Sequence, residues 1–475
     1  MPAARPRPGW TLAIVSVALF MTALDNLVVG VALPSIRADL GGSLEALQWT
    51  VNAYTLSFAV LLLTGAALGD RFGRRRMFAV GLSIFTAASA AAALAPSIDA
   101  LVAARAIQGA GAAIVLPLTL TLLSEAVPPA RRGAALGIWA GVSGLGVALG
   151  PLVGGAVVEG ISWHWIFWLN VPVGLVLLPL ARARLTESFG PAGRLDVPGL
   201  LLAAGGWFGL TFGIVRGEPL GWTSATVVGS LTAGVLLVAA FVAWELRARA
   251  PMLPMRFFRA RGFSATNAVS FAMFFGIFGA IFLLSQYFQT AQGYSPLQAG
   301  IRTLPWTAMP VLVAPIAGIL SDRIGSRPLM AAGLALQAGA LTWLAAVSTP
   351  DSAYGSLVVP LMMGGIGMAL VFAPSANAIL ASVRPAEAGQ ASGATNAIRE
   401  LGGVLGVAVL ASVFSANGSY ASQQAFTDGL VAALPIGAAV LAVGAVVALL
   451  VPGRRTLRGA GAARLAADTE PVAIR

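Results

Sequence analysis

Cysteine and lysine are missing from this chain, and His164 is its single histidine. No thiol means no disulfide and no thiolate nucleophile, and one imidazole cannot build a His/Cys metal cluster, so no metal site is expected. The absence of lysine also removes any phosphate loop of the Gly-x-x-x-x-Gly-Lys type, so ATP drive from this polypeptide has nothing to rest on. Neither a cofactor nor a catalytic site is expected. Charge is scarce as well: 10% of the residues, against about a quarter in an ordinary soluble domain, while 58% are apolar. Any proton handling therefore falls to carboxylates.

Such a chain cannot give itself a polar surface. Uncharged runs of about 20 residues, long enough to cross a hydrocarbon core, recur from Trp10 onward. Spans are predicted near Trp10–Val31, Gln48–Leu68, Met77–Leu94, Leu101–Leu122, Ala134–Val158 and Trp165–Ala181, and then near Val197–Val215 and Ala225–Leu246. A last set lies near Phe263–Tyr287, Ala299–Leu320, Leu329–Val347, Leu357–Ser382, Gly389–Phe414 and Leu430–Val451, about fourteen in all. The lipid bilayer is thus an expected partner.

The basic excess consists wholly of arginine and sits between spans on alternate sides, which argues for membrane orientation and against nucleic acid. Clusters such as Arg71 to Arg76, Arg131 and Arg132, Arg182 to Arg194 and Arg247 to Arg261 mark one side, while the other carries only Arg37, Arg216 and Arg302. The arginine-rich side is expected to be cytoplasmic, with both termini on it, in the cell membrane. The first apolar stretch is longer than a signal-peptide core and is expected to stay as a span.

An internal repeat follows. Leu68-Gly-Asp70-Arg71-Phe-Gly73-Arg74-Arg75 after the second span is echoed by Leu320-Ser-Asp322-Arg323-Ile-Gly325-Ser-Arg327 after the tenth, so the chain reads as a duplicated bundle. The loop resembles the signature of the major facilitator superfamily, Gly-x-Leu-x-Asp-Arg-x-Gly-Arg-Arg/Lys, with Gly318 leading the second copy and Ala66 the first. Eight spans separate the copies rather than six, which resembles the fourteen-helix drug:proton antiporter branch. Gln48-Trp49-x-x-Asn52-Ala53-Tyr54, Trp165-Ile-Phe167-x-x-Asn170-x-Pro172-x-Gly174 and Ser392-Gly393-Ala-x-Asn396 carry the same resemblance.

What this implies is an all-α polytopic membrane protein of two six-helix bundles with two inserted central helices. Residues 1–195 would form the first bundle, 196–261 the inserted pair and a basic loop, 262–453 the second bundle and 454–475 a tail. The loop residues Asp70, Arg71, Gly73 and Arg74, with Asp322, Arg323, Gly325 and Arg327, would latch one conformation; plain positive-inside anchoring is the competing reading. On the fifth span Gly137, Gly146, Gly150, Pro151, Gly154 and Gly155 match the spacing of the superfamily's antiporter motif, where small residues admit a close helix and proline bends the span.

Charges inside spans are costly and mark function. Asp25, in the first span, can alternate between neutral and charged forms, or serve as a static hydrogen-bonded acid. Arg105, with Gln108 three residues on, can partner a carboxylate that loses it when proton or substrate arrives; a structural pair is the equal alternative. Glu400 is a second proton candidate, with compensation by adjacent Arg399 the preferred reading. Asn26, Asn52, Tyr54, Gln108, Phe275 and Asn396 are candidates to line a substrate cavity, Phe275 within a stripe of Phe271, Phe274, Phe278 and Phe282 that packing also explains.

The expected activity is export of small hydrophobic or amphipathic compounds by alternating access, driven by the proton gradient, with protons and a small-molecule substrate as partners and a monomer as the working unit. Export of one endogenous metabolite, or a non-transporting sensor on a transporter scaffold, are the alternatives.

Overall fold

The structure, a computed structural model, describes residues 8–190, 195–249, 251–383 and 387–453. The tail proposed at 454–475 lies outside them, and among the described residues there is no strand. The first six helices are α1 (Pro8–Leu40), α2 (Leu44–Phe72), α3 (Arg74–Ala93), α4 (Ile98–Ala126), α5 (Pro129–Gly160) and α6 (Trp165–Arg184). Then come α7 (Val197–Leu220) and α8 (Ala225–Glu245). The rest are α9 (Arg261–Gln286), α10 in two segments (Pro296–Thr307 and Met309–Ile324), α11 (Ser326–Val347), α12 (Tyr354–Ser382), α13 (Ala388–Asn417) and α14 (Gln423–Ala448). Thirteen of these are long and apolar enough to cross a membrane, and α5, at 32 residues, makes the fourteenth.

Local chemistry sets the boundaries. At the arginine-poor end serine side chains accept the first free backbone N–H groups of α2, α4, α8, α10 and α14, from Ser43, Ser97, Ser224, Ser295 and Ser422. At the arginine-rich end α2 turns into α3 through Gly73 at φ +101°, and α10 into α11 through Gly325 at φ +91°. That left-handed region favours glycine, so the duplicated motif is a duplicated backbone turn. The tenth span, predicted as one helix, is interrupted at Ala308. Pro310 has no N–H to offer the Trp306 carbonyl, and Gly365 packs so closely against that carbonyl that a β-carbon there would lie 2.2 Å from it.

Within the first bundle α2 and α3 pack on α4, and α1 on α5; within the second, α11 packs on α12 and α14, and α9 on α13 and α14. The bundles meet along α5–α10 and α2–α13, pairs that the duplication relates to each other. The α7–α8 pair packs on itself through Gly206, Gly209 and Gly234, and α7 lies against both α2 and α13. Trp49 of α2 meets Phe208 of α7 with ring centroids 5.7 Å apart, and Arg216 pairs with Glu45 at 2.7 Å. The inserted helices therefore cover one seam between the bundles.

Candidate functional site

The first bundle closes around a buried charge pair. Asp25 of α1 and Arg105 of α4 are 0% and 1% exposed, and Arg105 Nη1 lies 2.6 Å from Asp25 Oδ2. The other carboxylate oxygen accepts from Gln108 Nε2 at 2.9 Å and Asn170 Nδ2 at 2.7 Å. Gln108 Oε1 accepts from Arg105 Nη1 at 2.8 Å, so its amide faces a guanidinium with one atom and a carboxylate with the other. Ser89 of α3 accepts from both amides, at 3.2 and 2.9 Å, and donates to the Phe167 carbonyl at 3.0 Å. Arg105 Nε reaches the Thr50 carbonyl of α2 at 3.3 Å, and its guanidinium stands 4.2 Å from the centre of the Tyr54 ring.

Five helices thus share one network, and two of them, α4 and α6, reach the carboxylate that α1 carries. Every group facing Asp25 is a donor, the pattern an ionised acid requires. A proton arriving on Oδ1 must displace an amide, and one arriving on Oδ2 cancels the charge that holds Arg105, so in either case the network loses strength between helices. The spacing of Arg105 and Gln108 put both on one helical face; Ser89 and Asn170 were not singled out as site residues. Their signal was weak but present: Ser89 is a polar residue in an alanine run, and Asn170 is a lone amide inside an otherwise apolar span.

The other candidates lie apart from this network. Asn26 is partly exposed, with Oδ1 unpartnered; Asn52 is fully buried, with neither amide atom partnered. Phe275 is a core residue, and its carbonyl lies where a β-carbon on Gly406 of α13 would meet it at 2.1 Å. Glu400 makes no ion pair with Arg399; its Oε2 is buried without a partner, and the carboxylate lies within electrostatic reach of Tyr54. Arg399 instead donates to Ser375 and Asn396.

The glycines of α5 serve two faces. A β-carbon on Gly146, Gly150 or Gly154 would meet α1 at Ala23, Leu27 or Val28, at 3.0, 2.7 and 3.0 Å. On Gly155 it would meet the Pro296 carbonyl of α10 at 2.4 Å, and on Gly300 the Pro151 carbonyl at 2.2 Å. The motif therefore packs α1 within the bundle and α10 across the seam. The surroundings of Gly137 lie outside the described residues. Further cross-bundle contacts gather at the same arginine-poor end: Ser285 donates to the Gly30 carbonyl at 3.0 Å, Gln289 to Val31 at 2.9 Å, and the Leu297 N–H to Glu159 at 2.9 Å. Arg37 lies over the Tyr420 ring at 3.7 Å. Burial pushes the Tyr420 phenol well up despite Arg37, so it stays a neutral donor, to Gln286.

The first copy of the loop motif is engaged within its own bundle. Arg74 pairs with Asp70 at 2.7 Å and with Glu125 at the end of α4, while the Gly190 N–H donates to the Asp70 carbonyl at 3.1 Å. Glu187 accepts from the Arg75 N–H at 2.9 Å. Arg71 lies beside the Phe72 ring, Arg323 and Arg327 are exposed, and the Asp322 side chain lies outside the described residues. Asp70→Ala is accordingly expected to cost about 1 kcal/mol or less, the size of a part-exposed pair, and to leave the arginine-poor seal closed. A cysteine replacing Ser285, which is 2% exposed, would stay unreactive to an impermeant maleimide in that variant; reactivity would show a latch between bundles.

Two bundles of membrane-long helices in a tandem repeat, with a charge network sealed inside one of them, define a polytopic transporter. The sequence profile of the Major Facilitator Superfamily matches residues 15–407, and the chain belongs to that family. The tetracenomycin C resistance and export protein of Streptomyces glaucescens is 37% identical over 408 residues, covering 86% of this chain and 76% of that protein. The cephamycin export protein of Amycolatopsis lactamdurans is 40% identical over 410 residues, covering 85% and 84%. Among solved structures the Escherichia coli xylose transporter XylE shares the fold, with a TM-score of 0.62 at 15% identity, covering 94% of this chain and 98% of that one.

Proposed function

We propose that this protein exports small hydrophobic or amphipathic compounds, antibiotics among them, across the plasma membrane by alternating access, in exchange for protons. The observation that carries the coupling is the buried Asp25–Arg105 pair. The similarity to antibiotic export and resistance proteins supports the direction and the substrate class. The arginine-rich end is cytoplasmic on this reading, with both termini there, and the seal at the other end closes the outward side in this conformer. The monomer is the working unit.

A proton reaching Asp25 cancels the negative charge that holds Arg105 and so loosens that pair. Helix α1 carries that change outward, because Gly30 and Val31, little more than a turn beyond Asp25, accept the hydrogen bonds that close the seal. A proton moving down about 100 mV releases roughly 2.3 kcal/mol, enough for about a fifty-fold gradient of a neutral substrate. Expression in an efflux-deficient bacterium is expected to raise tolerance to several chemically unlike toxic compounds, read as the minimal inhibitory concentration. Protection against a single compound would point to one dedicated substrate, and protection against none would remove the export reading.

A further inference from the structure

The second bundle holds a buried cation that the coupling scheme does not use. Arg399 of α13 is 6% exposed, and its partners are neutral: Nη2 donates to Ser375 Oγ at 2.7 Å, Nη1 to Asn396 Oδ1 at 3.4 Å, and Nε has none. Glu400 follows in sequence and lies within electrostatic reach of Arg399, but it is turned about 100° around the helix and makes no ion pair with it. A guanidinium inside a membrane span is costly unless an anion repays it. Arg105 in the first bundle has Asp25 for that purpose. Among the described residues, no carboxylate ion-pairs with Arg399.

The surroundings of Arg399 suit a ligand. The Phe372 and Phe274 ring centres lie 4.7 and 5.9 Å from the guanidinium carbon, and the two rings stack with centroids 6.4 Å apart. One turn back on the same face, the Thr395 hydroxyl is buried without a partner. One and two turns along α9 from Phe274, the hydroxyls of Ser270 and Thr266 are also buried and unpartnered. Asn396 and Ser392, both partly exposed, continue the polar stripe toward the arginine-rich end. Unspent donors beside a cation and two aromatic faces are what a flat molecule with an acidic group requires.

We propose that Arg399 is the subsite for an oxyanion, a carboxylate or ionised phenol, on the exported compound, with Phe274 and Phe372 receiving its apolar ring. The assignment rests on the export reading and narrows its substrate class. The test uses purified full-length protein and a panel of aromatic carboxylic acids, anthracene-9-carboxylate included, each paired with its methyl ester, with binding followed by quenching of tryptophan emission. The parent protein should bind the acids at least tenfold tighter than their esters, a ratio that needs no variant. Arg399→Gln should abolish that preference while leaving ester affinity unchanged, and Arg399→Lys, which keeps the charge without the fork, should retain part of it. Equal binding of acid and ester, or a preference that survives Arg399→Gln, would overturn the assignment. If neutral compounds are still exported in the cell assay, the export reading stands without it; no binding and no export would remove both.

Discussion

Asp25→Asn is expected to abolish gradient-driven export while substrate binding survives. An asparagine oxygen can still accept from Gln108 and Asn170, but its amide would face Arg105 Nη1 donor to donor across the present 2.6 Å contact. It cannot exchange a proton. The variant also strands a buried guanidinium, and breaking such a pair by removing one partner costs about 3–5 kcal/mol. A lowered melting temperature is therefore part of the prediction, and a second variant separates the two effects. Asp25→Asn/Arg105→Gln removes the stranded charge and is expected to recover most of the stability, yet to remain uncoupled. Glu400→Gln, which leaves the pair intact, is expected to retain coupling. Recovery of uphill transport in the double variant would move the proton site elsewhere.

Gly155→Ala is expected to open the arginine-poor end. The added methyl would lie 2.4 Å from the Pro296 carbonyl and 2.8 Å from the Leu297 α-carbon, backbone atoms that cannot swing aside. Overpacking of this kind costs about 1–3 kcal/mol, and it is relieved when α10 withdraws from α5. Since 1.4 kcal/mol is tenfold in a population, a cysteine at position 285 should label at least about fivefold faster, and export should collapse. Gly150→Ala meets the Leu27 side chain at 2.7 Å, inside the bundle, and should lower stability without opening the seal. Gly141→Ala, with nothing within 4 Å, should change neither. Unchanged labelling in Gly155→Ala would remove this contact from the gating account.

The contrast between these glycines shows where reading the sequence stops. Hydrophobic run length, arginine placement and the duplicated Asp-Arg-x-Gly turn were enough for the span order and the repeat, because each is local in the chain. The α5 glycine spacing marked close packing, but which glycine faces α1 and which faces α10 depends on how the bundles meet. Pro305 and Pro310 flank the interruption of α10 at Ala308, yet run length predicts one span because hydropathy alone is continuous there. In the site, Asp25 and Arg105 stood out by the cost of charge in a span. Ser89 did not, since a lone serine in an alanine-rich helix has no face until α6 brings Asn170 and the Phe167 carbonyl to it. Sequence adjacency of Glu400 to Arg399 suggests compensation, and the two do act on each other electrostatically, but that no direct ion pair forms depends on how the helix turns them apart.

The coupling claim is tested most directly by proton flux in proteoliposomes. Purified protein would be reconstituted with a pH-sensitive dye inside, without a membrane potential, and given a compound found protective in the cell assay. The account predicts that adding substrate on one side moves protons the opposite way, that an imposed pH gradient drives the substrate uphill, and that Asp25→Asn shows neither. Uphill substrate movement that persists after an ionophore has collapsed the pH gradient, or substrate-induced proton flux in Asp25→Asn equal to the parent's, would contradict it.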